Sequence, residues 1–240
     1  MTMPRRFQNE GGIALIIALM AMTMMIALGT ALLLATTTES KIAHNFRTAS
    51  EATYAADAML ERVVADLGGV ADWNTLLSGA TRSAFVDGAP SGGRTLADGT
   101  VIDLSAVVNT ANCEKQSTCT DEDLDRVTDE RPWGLNNPRW QPLAWGTLNR
   151  LSPAGSVTSP LYVIVMVADD PSECDNNPLV DGGAPVLPCG TSSSLNPGAG
   201  VLSLRAEAFG PFGTHKILEA TVTRVEGGAG VRMLSWREVR

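Results

Sequence analysis

From residue 11 to residue 38 the chain carries no charged side chain and no proline, and Leu, Ile, Met and Ala predominate. About twenty apolar residues cross a bilayer as a helix, and residues 13–36 meet that length. The pattern then changes period without a break. Ile42, Phe46, Ala49, Thr53, Ala56, Leu60, Val63 and Leu67 are spaced alternately four and three apart, which places them on one stripe of a helix. Lys41, Asn45, Arg47, Ser50, Glu51, Asp57, Glu61 and Arg62 occupy the other faces. Gly68 and Gly69 supply the stop. Residues 13–67 are therefore expected to form one rod of roughly 80 Å, with 13–36 in lipid and 39–67 packed against protein.

Beyond the rod, residues 68–240 suffice for one globular domain with its own core. Twelve of the thirteen prolines and most of the 23 glycines fall in this region and break it into short elements. A short helix is expected over 71–77, with Asp72 as its cap. Alternation of Ile102, Leu104, Ala106 and Val108 predicts a strand over 100–108. The apolar, β-branched run 161–168 predicts a second. Leu202, Leu204, Ala206 and Ala208 alternate with Ser203, Arg205 and Glu207 to predict a third. A turn at Gly210, Pro211, Phe212 and Gly213 leads to a strand over 216–226, with Leu218, Ala220 and Val222 on one face. A glycine-rich turn at 227–230 returns the chain into 231–239. The last four strands make an antiparallel meander, and its apolar face needs a cover that the stripe ending at Leu67 can provide. The fold class is α+β. The connection 109–160 contains Trp133, Trp140 and Trp145, which are expected to pin an irregular loop onto the core rather than to present a partner-binding surface.

Charge adds direction. Arg5 and Arg6 precede the apolar run, whereas Glu39, Lys41, Arg47 and Glu51 follow it in a mixed flank. The positive-inside rule leaves the start in the cytoplasm and sends the bulk outward: a single pass of the cytoplasmic (inner) membrane with the C-terminal domain outside. A cleaved secretory signal fits poorly, because its apolar core would be too long and residues 35–39 hold no clear small-x-small site. The net charge of −8 and pI near 4.8 argue against a basic face, so no specific nucleic-acid partner is expected.

Four cysteines, all beyond the span, suit an oxidising compartment. They allow three pairings, of which Cys113 with Cys119 and Cys174 with Cys189 is the simplest, since each closes a local loop. A zinc site is disfavoured by the absence of Cys-x-x-Cys and by the positions of His44 and His215. Between two expected strands, Asp169, Asp170, Glu173, Asp175, Asn177 and Asp181 concentrate oxygen ligands of the kind calcium takes. The spacing is not that of an EF-hand, and an acidic solvated loop is the competing reading. No cofactor is required; calcium is the one candidate. No nucleophile elbow, phosphate loop or His-Glu-x-x-His helix occurs, so an enzyme is not expected.

Three stretches together resemble a known family: Gly12-Ile13-Ala14-Leu15-Ile16-Ile17-Ala18-Leu19, then Thr36-Thr37-Thr38-Glu39-Ser40-Lys41-Ile42-Ala43-His44-Asn45-Phe46-Arg47, then Ala52-Thr53-Tyr54-Ala55-Ala56-Asp57-Ala58. They are similar to the N-terminal region of PilX-type minor pilins of type IV pili, over roughly the first quarter of the chain. The resemblance implies a type IV pilin-like fold, with residues 1–12 as a leader that a prepilin peptidase removes between Gly12 and Ile13, or alternatively between Gly11 and Gly12. The new amine would then be methylated. Major pilins carry a glutamate at the fifth mature position, where this chain has Ile17, so the resemblance favours a tip or initiation complex over the filament shaft. Expected partners are other minor and major pilins, the prepilin peptidase, the inner-membrane assembly platform and membrane lipid. The alternatives are a single-pass, membrane-anchored periplasmic binding or adhesion domain using calcium, and a type II secretion minor pseudopilin, which usually has a larger inserted helical domain.

Overall fold

The structure is a computed structural model describing residues 11–150, 159–173, 175–183, 186, 200–225 and 230–239. Residues 1–10 of the expected leader, most of the expected turn at 227–230, Cys174 and Cys189 lie outside the described residues. Helix α1 (Gly11–Leu67) is assigned without interruption and is shared between two compact units, Met1–Arg47 and Thr48–Arg240.

Within the first unit α1 is long and apolar enough to cross a membrane, and none of its apolar window is buried among the described residues. Its few polar side chains need no outside partner. The hydroxyls of Thr23, Thr30 and Thr36 donate to the carbonyls of Met20 (2.9 Å), Ile26 (3.0 Å) and Leu32 (3.1 Å), and those of Thr37 and Thr38 both donate to Leu34 (2.9 Å). A hydroxyl bonded back to its own helix can enter hydrocarbon without an unsatisfied donor.

In the second unit α1 is the core helix. Thr48, Ala52, Ala55, Ala56, Met59, Leu60, Val63 and Leu67 are buried along one face. The expected stripe began earlier: Ile42 and Phe46 are exposed, and burial starts at Thr48, where the second unit starts. The helix ends at Leu67 as Gly68 and Gly69 take over, with the Gly69 and Val70 N–H groups donating to Asp66 and Leu67. The short helix α2 (Asn74–Leu77) follows, and Asp72 Oδ1 accepts the Asn74 N–H at 3.0 Å.

Strands β1 (Gly93–Thr95) and β2 (Val101–Asp103) form a small antiparallel ladder. The expected strand over 100–108 is cut short, because helix α3 (Leu104–Cys113) begins at Leu104. Asp103 caps it, its Oδ1 accepting the Ser105 and Ala106 N–H groups at 2.8 and 3.2 Å. Leu104, Val107, Val108 and Ala111 then face the core at helical spacing. Cys113 and Cys119 form a disulfide, and α4 (Asp121–Asp125) starts at a capping box of Thr120 and Asp123.

The main sheet has five strands in the order β3 (Gln141–Thr147), β4 (Tyr162–Asp169), β5 (Val201–Phe209), β6 (His215–Arg224) and β7 (Val231–Val239), each antiparallel to its neighbour. The last four are the expected meander; β3 lies inside the stretch read as an irregular connection. Its Pro142 sits where the register with β4 shifts, a bulge that spares the ladder a missing donor.

Strand β4 is buried on both faces, which explains its unbroken apolar sequence. Val163, Val165 and Val167 join the core beneath α1 and α2, together with Leu202, Leu204, Ala206, Leu218, Ala220 and Val222. Tyr162, Ile164, Met166 and Ala168 join a second core on the opposite face, under Leu96, Leu104, Ala111 and Trp140. Trp145, from β3, completes that second core, its Nε1 donating to the Asp87 carbonyl at 3.1 Å. Trp133 remains partly exposed. Toward β6 and β7 the same face turns ionic: Arg205 bonds Glu207 (2.7 Å) and Glu219 (2.8 Å), and His215 bonds Glu207 (2.8 Å).

Candidate metal centre

Strands β4 and β5 pair directly, Asp169 lying opposite Leu202, yet residues 170–200 connect them. Most antiparallel neighbours are joined by a few residues. The acidic residues gather where this long connection leaves and rejoins the ladder.

Asp169 ends β4. By alternation it shares the face of Val163, Val165 and Val167, the face covered by α1 and α2, and its residue is 3% exposed. A carboxylate has thus taken the next place in an apolar series. A 3-10 turn, Pro171–Glu173, follows at once and brings Glu173, 6% exposed, back beside it. Asp181 comes from the far side of the connection. Carboxylate oxygens of Asp169, Glu173 and Asp181 all lie within 4.8 Å of one another. Asp175, 7% exposed, stands close enough for its charge to act on both Asp169 and Glu173.

Backbone groups hold these acids in place. Glu173 Oε2 accepts the Gly182 N–H (2.7 Å), Asp181 Oδ1 accepts the Gly200 N–H (2.6 Å) and Asp175 Oδ1 accepts the Asn177 N–H (2.8 Å). The Asp181 N–H in turn donates to Asn74 Oδ1 of α2 (2.8 Å). Asn136 braces the loop from another side by accepting the Asn176 N–H at 2.6 Å. Gly183 packs directly against Asp175, and a Cβ there would force the Asp175 side chain to shift.

The remaining oxygens are the anomaly. Asp169 Oδ1, Glu173 Oε1 and Asp175 Oδ2 are buried and find no hydrogen-bond partner among the described residues. Burial, reinforced by the charges of Glu173 and Asp175, pushes the Asp169 carboxyl up to about 9. Burial likewise raises Glu173 to about 7, against the lowering effect of the Gly182 N–H. Asp181 is raised by burial too, less the effect of the Gly200 N–H and the Arg224 charge.

Of the six residues expected to bind calcium, Asp169, Glu173 and Asp181 are brought together and Asp175 adjoins them. Asp170 is not part of the group: its Oδ1 accepts both the N–H (3.0 Å) and the hydroxyl (2.9 Å) of Ser172, and it borders an open cleft of about 880 Å³ behind the sheet. Asn177 is exposed and takes part through its backbone. Gly182, Gly200 and Asn74 were not legible as participants. Gly182 could have been suspected from its place beside Asp181, but the bond Asn74 accepts and the bond Gly200 donates depend on tertiary proximity alone.

At the other expected site, Gly11, Gly12 and Ile13 lie in the first turn of α1, and Gly12 and Ile13 are exposed. Among the disulfide candidates, Cys113 and Cys119 are bonded, with Cα atoms 6.0 Å apart. Compared with known proteins, the chain matches no protein-family model, no curated protein and no solved structure.

Proposed function

We propose that this chain is a minor pilin, an assembly component of a type IV pilus that acts in the initiation or tip complex and carries a pilin-like fold. The observation that supports the reading is α1, because one helix supplies both an apolar, uncovered segment and the central packing face of an α+β head. An ordinary anchor has no need to continue as the core of the domain it tethers. A filament subunit does, since its helix must pass load between neighbouring helices and its own head.

On this reading the peptidase cuts before Ile13, and the new terminus enters a bundle of pilin helices from the inner membrane with the help of the assembly platform. Ile17 then stands where a shaft subunit carries a carboxylate to pair with a neighbour's amine. An apolar residue there leaves that amine unpaired in a repeating stack, and an unpaired buried charge is expensive. A subunit placed once, at the start of the filament, escapes the penalty.

The test is co-expression of the full chain with a prepilin peptidase, followed by intact-mass measurement of the membrane-extracted protein. A mature chain starting at Ile13 or Gly12 with a methylated amine is expected. A chain that stays intact in the presence of active peptidase refutes the reading in favour of a permanently anchored periplasmic domain.

A further inference from the structure

We propose that Asp169, Glu173, Asp175 and Asp181 hold one calcium ion, which fastens the two ends of the 170–200 connection to the end of the β4–β5 ladder. Two independent observations carry this. Three carboxylates have oxygens within 4.8 Å of one another, and Asp169, Glu173 and Asp175, each more than nine-tenths buried, keep an oxygen with no partner among the described residues. Like charges buried together without counter-charge are strongly unfavourable. No ion pair among the described residues includes any of these four acids.

The division of labour within each carboxylate points the same way. One oxygen of Glu173 and of Asp175 is held by a backbone N–H while the other is left unpartnered. Outer hydrogen bonds of this kind orient the ligands of metal sites. The donor set is all oxygen, which suits hard cations. Magnesium demands a near-ideal octahedron and retains several waters, whereas calcium accepts six to eight oxygens in flexible geometry, with carboxylates binding through one or both oxygens. Four carboxylates, from the end of β4, the 3-10 turn after it and the connection beyond, match calcium, the remaining positions being filled by water.

The ion's effect is mechanical. Asp169 belongs to the sheet, Asp181 to the connection, and Asp181 already bonds Gly200 at the start of β5. Joining them through a cation ties residue 181 to the end of β4 and so divides the closure of the connection into shorter loops.

The test uses the full chain in detergent micelles, stripped with EDTA and then titrated with calcium chloride or magnesium chloride. Calorimetry should show saturable uptake of calcium with one ion per chain, together with a rise in the unfolding temperature, and magnesium in the same range should do neither. Glu173→Gln and Asp181→Asn should lose the uptake, and Asp170→Asn should keep it. Limited proteolysis of the unaltered chain gives a readout that does not depend on a variant folding: cuts within 170–200 should be suppressed by calcium and restored by EDTA. The proposal is overturned by an absence of calcium uptake, by uptake unchanged in Glu173→Gln, by an equal response to magnesium, or by cleavage indifferent to calcium. Because the chain is measured alone, none of these results depends on its role in a pilus.

Discussion

Leu60 is 0% exposed and sits in the middle of the α1 face that packs on the sheet. Its replacement by alanine isolates packing from helix formation, since alanine is the best helix former and cannot weaken α1 by propensity. Buried Leu→Ala changes cost about 2–5 kcal/mol, more where the surroundings cannot collapse into the space. The core that holds Leu60 also contains Ala52, Ala55 and Ala56 from the helix and Ala206, Ala208 and Ala220 from the sheet. A side chain with no exposed surface leaves its neighbours little room to relax, so about 3–4 kcal/mol is expected. For a domain of this size that corresponds to a fall of roughly 6–16 °C in unfolding temperature. The matched control is Ile42→Ala, one of the stripe residues expected to be buried but 63% exposed; its cost should stay within about 0.5 kcal/mol. Near-UV circular dichroism of the full chain in detergent, followed through thermal unfolding, reads both. Equal shifts for the two variants would refute the assignment of the core face from Thr48 onward.

Other outcomes follow from the same packing and charges. Arg205→Met should destabilise the head by about 3–5 kcal/mol in chemical denaturation, because it leaves the buried Glu207 with a broken ion pair. Burial raises Glu207, but the His215 bond and the Arg205 charge outweigh it and hold its carboxyl below the ordinary 4.5. Its stabilising effect is therefore complete above that value and lost as pH falls through the lowered one, so Glu207→Gln should flatten the acid limb of a stability-against-pH curve below about pH 4.5. Reducing the Cys113–Cys119 disulfide, or replacing both cysteines by serine, should cost roughly 2 kcal/mol from release of so short a loop. Asp169→Asn should raise the unfolding temperature in EDTA near pH 7, because the amide is buried without the proton uptake that a carboxyl raised to about 9 requires, and should lower it relative to the unaltered chain in calcium.

Long periods were legible in the sequence and local capping contests were not. The apolar run and the stripe through Leu67 specify α1 because each repeats over many turns, and β5 to β7 show because their alternation is bounded by glycine-rich sequence. The stretch 100–108 misleads because Ile102, Leu104, Ala106 and Val108 fit a strand, while Leu104, Val107, Val108 and Ala111 fit a helix equally well. Asp103 decides it by capping the helix. Strand β3 is hidden by Pro142 and by a bulge that breaks its alternation. Composition located the acidic connection, but only the pairing of β4 with β5 shows that Asp169 continues an apolar face and that Gly200 returns beside Asp181. Asp170 looked equivalent to Asp169 in sequence; the strand's alternation turns them to opposite faces.

The account rests on α1 being at once an assembly helix and the core of its own head. A photo-crosslinking residue placed at Ile42, exposed on α1 just beyond the apolar run, tests this in cells that assemble pili. Adducts with other pilin subunits, formed by the processed chain and lost when prepilin peptidase is absent, are the predicted result. Processed chain that yields no pilin adduct from this position, in cells whose filaments assemble normally without it, would contradict the account.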